Sequence, residues 1–256
     1  MSSVLWRSLL LLIGALVAGA TIAVVPIEAG TWGGCSSENP NRAIKACSAF
    51  IKAGDRNKKT LAMAHANLAL AYNKQARFNE AMKAADRAIE IDPKNGNAYN
   101  IRGWAHYASN MLNEAIADYD KAVSLKLKGQ QLAWTYNNRS VAYRDNNEPD
   151  KAISDATMAI KINSKFPEVY NSRANAYVDK KDWKKALEDL NRALQLRPNY
   201  NSALYNRALV YGQLGDLNQS ERDWRKAIEN FPENSQWWGK AKACLDLVLN
   251  GGQKLC

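Results

Sequence analysis

Residues 167–200 read PEVYNSRANAYVDKKDWKKALEDLNRALQLRPNY, a sequence with a clear helical pattern. It contains two runs of apolar residues at helical spacing, separated by a short polar turn at 179–182. Pro198 follows the second run and ends it, because proline cannot continue a helix. The stretch therefore predicts one helix-turn-helix unit of 34 residues.

The same unit recurs through the middle of the chain. Five units are predicted, with three extra residues at 130–132 between the second and the third, at residues 62–95, 96–129, 133–166, 167–200 and 201–234. A small residue stands at place 20 of every unit, counted from its first residue: Ala81, Ala115, Ala152, Ala186 and Ser220. A period of about 34 residues with small residues at fixed places is typical of a helical solenoid. Such a fold presents a surface to partners and needs no catalytic pocket.

Further repeated places resemble the tetratricopeptide repeat (TPR) family. The units share a small residue at place 8, Tyr at place 11 in four of five units, Ala at place 27 and often Pro at place 32. The resemblance implies an all-α fold, a right-handed superhelical solenoid of about five units. It also implies a concave groove that binds peptides or proteins. Amphipathic helices within 36–58 and 235–256 are expected to cap the two ends, because solenoids need polar end covers.

The N-terminal segment predicts export. Arg7 precedes an apolar run at 9–17, and small residues follow up to Ala20. This arrangement is typical of a signal peptide at residues 1–20. The alternative is an uncleaved membrane anchor that extends to about residue 27, since 8–27 is long enough to span a bilayer. Either reading predicts a periplasmic or extracellular protein, released or held by its N-terminal segment.

Four cysteines flank the repeats: Cys35, Cys47, Cys244 and Cys256. Local pairing of the first two and of the last two is favoured, because the ends of a solenoid lie far apart. Disulfides persist in oxidising compartments, which agrees with export. The alternative is four unrelated thiols. A metal site is not expected, because the spacings are not CxxC and no His lies near either pair.

The overall charge is +10, but the charged residues are dispersed as on a solvated surface. A basic balance admits anionic partners such as acidic peptides or lipid headgroups. Nucleic acid is not expected as a partner, because neither a basic cluster nor a reader motif accompanies the charge. No metalloprotease, nucleophile-elbow or phosphate-loop motif occurs, so the sequence predicts neither an enzyme nor a cofactor.

Charged residues at places 7 and 23 appear together. The first unit has Leu68 and Ala84 at these places, and the other four units have Arg and Asp. The pairs are Arg102 with Asp118, Arg139 with Asp155, Arg173 with Asp189 and Arg207 with Asp223. We predict ion pairs between the two helices of a unit, since guanidinium binds carboxylate bidentately. The alternative is an arginine row that lines the groove for anionic ligands.

The resemblance further implies that places 2, 5, 9, 12 and 13 face the groove. The candidate peptide-binding residues are Asn100, Trp104, Tyr107, Asn137, Arg144, Asn171 and Asn175. Asn side chains donate and accept hydrogen bonds, so a row of them suits an extended backbone. The alternative is that they bridge units within the array. The family's clamp for a terminal carboxylate needs Lys, Asn and Arg residues that this sequence does not supply in any frame.

The sequence thus predicts a non-catalytic scaffold of the cell envelope that binds peptide or protein segments in its groove. One alternative is a membrane-anchored TPR subunit of an envelope assembly or secretion complex. Another is an envelope glycan-associated factor, because Trp104, Tyr107 and Trp134 could stack on sugar rings. The identity of the partner does not follow from the sequence.

Overall fold

The computed structural model describes residues 30–54, 57–125, 127–233 and 235–249. These ranges contain thirteen helices and no strand. None of these described helices combines the length and apolar character needed to cross a lipid bilayer. The predicted signal peptide or anchor lies outside the described residues, as does the tail from residue 250 onward.

Helices pair within each unit and stack from unit to unit. Two helices precede the units: α1 (Gly30–Cys35) and α2 (Pro40–Ala53). The first helices of the five units are α3 (Lys58–Lys74), α5 (Gly96–Ala108), α7 (Gly129–Asp145), α9 (Pro167–Asp179) and α11 (Asn201–Gln213). The second helices are α4 (Phe78–Ile91), α6 (Leu112–Ser124), α8 (Pro149–Ile162), α10 (Trp183–Leu196) and α12 (Leu217–Asn230). Helix α13 (Gln236–Leu249) follows the last unit.

The first helices form the inner face of the array. Each first helix packs on its own second helix, and it also contacts the first helix of the next unit, from α3 through to α11. Because the first helices pack directly against each other along the array, we assign them to its concave side. The all-α solenoid with helices that cap both ends is therefore confirmed.

The turn inside each unit has the same backbone in all five units. Place 15 has a positive φ, between 56° and 80°: Ala76, Asn110, Asn147, Lys181 and Gly215. The next N–H donates to the carbonyl five residues earlier, as in Asp182 to Tyr177 at 2.9 Å. This left-handed cap ends the first helix and reverses the chain. Ala76 and Lys181 adopt it at a cost of about 1 kcal/mol each, which the packed hairpins offset.

In the second and fifth units a small first-helix residue at place 8 packs against a large second-helix residue at place 24. In the second unit a Cβ on Gly103 would lie 2.8 Å from the ring of Tyr119, which is fully buried. In the fifth unit Ala208 packs in one cluster with the buried Trp224. A small first-helix residue therefore makes room for a large second-helix residue, and the hairpin stays closely packed.

The N-terminal cap is a disulfide-linked pair of helices. Cys35 and Cys47 form a disulfide with their Cα atoms 4.6 Å apart, and both are buried against Ala64 and Leu68. This cap covers the apolar end of the first unit. Cys244 is also buried, but its predicted partner Cys256 lies outside the described residues. That pairing stays a prediction.

The cap differs in detail from the single helix expected at 36–58. Helix α2 ends at Ala53, and the next residue, Gly54, has a φ of 73°, the left-handed conformation that glycine favours. The side chain of Asn57 then accepts from the N–H groups of Lys59 and Thr60, which starts α3. The first helix of the first unit therefore begins four residues before residue 62, and the cap contains the short α1 in addition to α2.

Candidate functional site

The four predicted Arg–Asp pairs are present, and each is bidentate. In every pair Nε and Nη2 of the arginine donate to the two carboxylate oxygens, at distances between 2.6 and 2.9 Å. All four aspartates are buried, with at most 6% of their surface exposed. Each pair therefore joins the first helix of a unit to its second helix.

The same arginines also reach the preceding unit. Nη1 of each arginine donates to place 25 of that unit, with Asp86, Asp120, Thr157 and Asn191 as the acceptors. These distances lie between 2.6 and 3.1 Å. Place 25 of the fifth unit, which no further arginine-bearing unit follows, is Arg225. Each arginine thus connects three helices and two units, a link that sequence reasoning missed.

The surroundings of the arginines fit this structural role. The guanidinium of Arg139 lies 5.4 Å and 5.7 Å from the ring centroids of Tyr136 and Tyr143. Burial raises the pKa of the Asp189 carboxyl, and the hydrogen bonds from Arg173 oppose that rise. The positive charges of these arginines are therefore paired with carboxylates inside the array. The alternative of an arginine row that offers free cations to a ligand in the groove is not supported.

Two pockets of the described part of the chain lie between neighbouring first helices, on the inner face. The first, which we name the tryptophan pocket, has a volume of about 280 Å³. Its lining comes from α3, α5 and α7: Leu70, Asn73, Asn100, Ile101, Trp104, Trp134 and Asn138. Trp104 and Trp134 are 41% and 39% exposed, which is unusual for such large apolar side chains. This pocket therefore offers apolar surface to a ligand.

The second pocket, which we name the cap pocket, has a volume of about 340 Å³. It is lined by Arg144, Asn171, Asn175, Ser202, Tyr205, Asn206, Phe231 and Trp237. Trp237 belongs to α13, and its ring centroid lies 5.6 Å from that of Tyr205. The C-terminal cap thus supplies one wall of this pocket.

A pair of asparagines crosses a unit boundary in each pocket. Asn138 Nδ2 donates to Asn100 Oδ1 at 3.3 Å, and Asn206 Nδ2 donates to Asn171 Oδ1 at 2.9 Å. Each pair joins place 6 of one unit to place 5 of the preceding unit. The remaining Nδ2 and Oδ1 groups of both pairs have no hydrogen-bond partner among the described residues, and none of them is among the fully buried unpaired atoms. Each pair can therefore offer one donor and one acceptor to a ligand.

Asn137 occupies the equivalent position at the boundary between the third and fourth units, but no asparagine of the described residues pairs with it. The residue that would pair with it is Ser172, which instead donates to the carbonyl of Glu168 at 3.0 Å. Asn137 is 6% exposed, and its Oδ1 is buried without a hydrogen bond among the described residues. The row of asparagines is therefore interrupted, and Asn137 lines neither pocket.

Tyr107 and Arg144 bridge neighbouring units through place 13 of the next one. The hydroxyl of Tyr107 donates to Asp145 at 2.6 Å, and Nε of Arg144 donates to Asp179 at 2.8 Å. Burial raises the pKa of Tyr107, and its hydrogen bond to Asp145 adds to that rise. The hydroxyl of Tyr107 is thus used within the array, whereas Arg144 still lines the cap pocket.

Five of the seven candidate residues line one of the two pockets. Asn100 and Trp104 line the tryptophan pocket, and Arg144, Asn171 and Asn175 line the cap pocket. Tyr107 and Asn137 line neither. Sequence reasoning missed place 6, although Asn recurs there in the first, third and fifth units. It also missed the contribution of α13.

The fold and the two pockets define a solenoid of helical hairpins with a concave ligand face. Family models described as "Tetratricopeptide repeat" match residues 62–95, 96–128 and 202–234, and one described as "TPR repeat" matches residues 174–215. The chain therefore contains tetratricopeptide repeats.

Solved TPR proteins share this fold. PilF of Pseudomonas aeruginosa is 16% identical, with a TM-score of 0.66, over 83% of this chain and 93% of that one. YrrB, a TPR protein with an unusual peptide-binding site, is 20% identical, with a TM-score of 0.57, over 77% of this chain and 99% of that one. At these identities the likeness concerns the fold alone.

A curated relative matches a short stretch. It is the NADPH oxidase activator of Dictyostelium discoideum, 35% identical over 65 residues. The match covers 25% of this chain and 11% of that protein. The chain thus spans only about a tenth of the length of this relative, and the likeness does not extend to the whole protein.

Proposed function

We propose that this protein is a non-catalytic scaffold that binds extended peptide or protein segments along the face formed by its five first helices. The observation that carries this proposal is the asparagine pair in each pocket, whose remaining Nδ2 and Oδ1 groups have no partner among the described residues. A peptide group has one N–H and one C=O, so one asparagine pair can satisfy both. The exposed aromatic rings beside each pair supply apolar contact for side chains.

The charges around the pockets favour a neutral segment over an acidic tail. No ionisable residue lines the tryptophan pocket. In the cap pocket, Arg144 donates to Asp179 and lies 3.6 Å from Asp145. A carboxylate ligand would have to compete with two carboxylates of the protein for this one cation. This agrees with the missing set of clamp residues in the sequence.

We propose further that the protein is exported and acts in the cell envelope. The buried disulfide between Cys35 and Cys47 supports this, because such bonds persist in oxidising compartments. The signal-like pattern of residues 1–20 supports it independently. We expect protein recovered from its host to have the mass of a chain without the first 20 residues. An intact chain in the membrane fraction would instead favour the anchored subunit of an envelope assembly.

Binding can be tested with a displayed library of random twelve-residue peptides. We expect the purified protein to select peptides, and Asn138→Ala/Asn206→Ala to weaken their binding at least tenfold. Such a loss corresponds to about 1.4 kcal/mol, roughly one hydrogen bond at each pair. Fluorescence titration of selected peptides gives the dissociation constants.

The matched control is Asn113→Ala/Asn218→Ala, which removes two exposed asparagines from second helices α6 and α12. This control should bind the selected peptides as the parent protein does. Equal losses in both double variants would contradict a site on the inner face. Binding of cell-wall glycan fragments with no selected peptide would favour the glycan-associated alternative.

A further inference from the structure

The two pockets follow the same plan. The tryptophan pocket combines the Asn100–Asn138 pair with exposed indole rings, across the second and third units. The cap pocket combines the Asn171–Asn206 pair with the rings of Tyr205 and Trp237, across the fourth and fifth units. The same combination of an amide pair and aromatic surface therefore recurs two units farther along the array.

The boundary between the third and fourth units lacks this combination of an amide pair and aromatic surface. Ser172 stands where an asparagine would complete the pair, and Asn137 is left with a buried oxygen. Place 9 of the third unit is Val141, where the second unit has Trp104. The two pockets are therefore separate, and no continuous ladder of asparagines joins them.

The distance between the pockets sets the length of chain that can join them. Neighbouring first helices pack directly, and packed helices lie about 8–10 Å apart, so two units span roughly 16–20 Å. An extended chain advances about 3.3 Å per residue, so five or six residues cover that span. Side chains of an extended chain alternate in direction, and only an even separation places two of them on the same wall. A separation of six residues fits both conditions.

We propose that the groove binds two large apolar side chains that stand six residues apart in one extended segment, with one side chain in each pocket. This inference rests on the proposed function. Apolar side chains fit because neither pocket offers an unpaired charge among the described residues, and burial of a charge without a partner is costly. Simultaneous occupation makes the second contact intramolecular, so the two-site segment binds far more tightly than either half.

Synthetic Gly/Ser peptides of twelve residues test this directly, with two phenylalanines three, six or nine residues apart. A peptide with a single phenylalanine is the reference. We expect the peptide with a spacing of six to bind at least tenfold more tightly than the reference, as measured by tryptophan fluorescence. The other two spacings should bind within threefold of the reference.

Variants assign the two contacts. Trp104→Ala and Trp237→Ala should each lower the affinity of the six-spaced peptide about tenfold, to the level of the single-phenylalanine peptide. The matched control is Trp238→Ala, on the same helix as Trp237 but outside both pockets, and it should retain the preference for a spacing of six. Circular dichroism confirms that each variant is folded.

Two results would overturn the two-pocket inference. One is equal affinity at all three spacings while Asn138→Ala/Asn206→Ala still weakens binding, which leaves the proposed function intact. The other is a spacing preference that both Trp104→Ala and Trp237→Ala retain. Failure of the proposed function looks different, since then no peptide binding depends on the asparagine pairs at all.

Discussion

Replacement of Trp224 by alanine is expected to lower the free energy of unfolding by about 4 kcal/mol. Trp224 is only 1% exposed, and its ring centroid lies 4.8 Å from that of Tyr205. It also packs against Ala208 in the same unit. Alanine would remove this buried surface and leave a cavity that the surrounding helices can fill only in part. Urea denaturation of the full chain, followed by helical circular dichroism, gives the change.

The loss should be largest at the C-terminal cap. Cys244 and Leu245 of α13 are buried in the same cluster as Trp224, so their packing depends on this ring. The control is Trp237→Ala, which removes a side chain that is 51% exposed and should cost less than about 1 kcal/mol. An equal effect of the two substitutions would contradict the role assigned to Trp224.

Arg173→Ala is expected to lower the free energy of unfolding by about 3 kcal/mol at neutral pH. The substitution removes two hydrogen bonds of 2.7 Å to Asp189 and one of 3.1 Å to Thr157. It leaves Asp189, which is 5% exposed, as a buried carboxylate without its cation. It also removes a link between the third and fourth units. Urea denaturation of the parent and the variant measures the difference.

This penalty should shrink in acid. Burial already raises the pKa of Asp189 and the bonds from Arg173 oppose the rise, so the pKa rises further in the variant. A carboxyl with a higher pKa in the folded state favours folding below its unfolded pKa of about 3.9, and this gain is lost as the pH rises through the folded pKa. The stability difference between parent and variant should therefore be smaller at pH 4 than at pH 7.

An exposed pair provides the control. Lys185→Ala removes a surface ion pair with Asp182, and it should leave the free energy of unfolding almost unchanged at either pH. A penalty for Arg173→Ala that stays as small as this control would show that the Arg–Asp pair does not hold the hairpin together. A penalty that grows in acid would contradict the assigned cause.

Much of the fold could be predicted because a repeat makes the same physical demand at the same place in every unit. Small residues recur where helices meet, and Arg and Asp recur together because each leaves the other unpaired when it is alone. The third bond of each arginine could not be predicted in this way. Its acceptors are Asp86, Asp120, Thr157 and Asn191, and they share the ability to accept but no common residue type.

The pockets were less predictable because they depend on contacts between units. Asn100 and Asn137 occupy the same place, but Asn100 meets Asn138 of the next unit and Asn137 meets no such partner. Trp237 belongs to α13, outside the repeat, so a period carries no information about it. A repeated pattern therefore indicates the architecture reliably, whereas the ligand surface depends on the places where units differ.

The division between arginines that build the array and asparagines that bind the ligand has one direct test. Dissociation constants of a selected peptide are measured for folded Arg173→Ala and for Asn138→Ala/Asn206→Ala in parallel titrations. We predict that Arg173→Ala binds within twofold of the parent protein and that the asparagine variant binds at least tenfold more weakly. Weakened binding by Arg173→Ala together with unchanged binding by the asparagine variant would contradict this division.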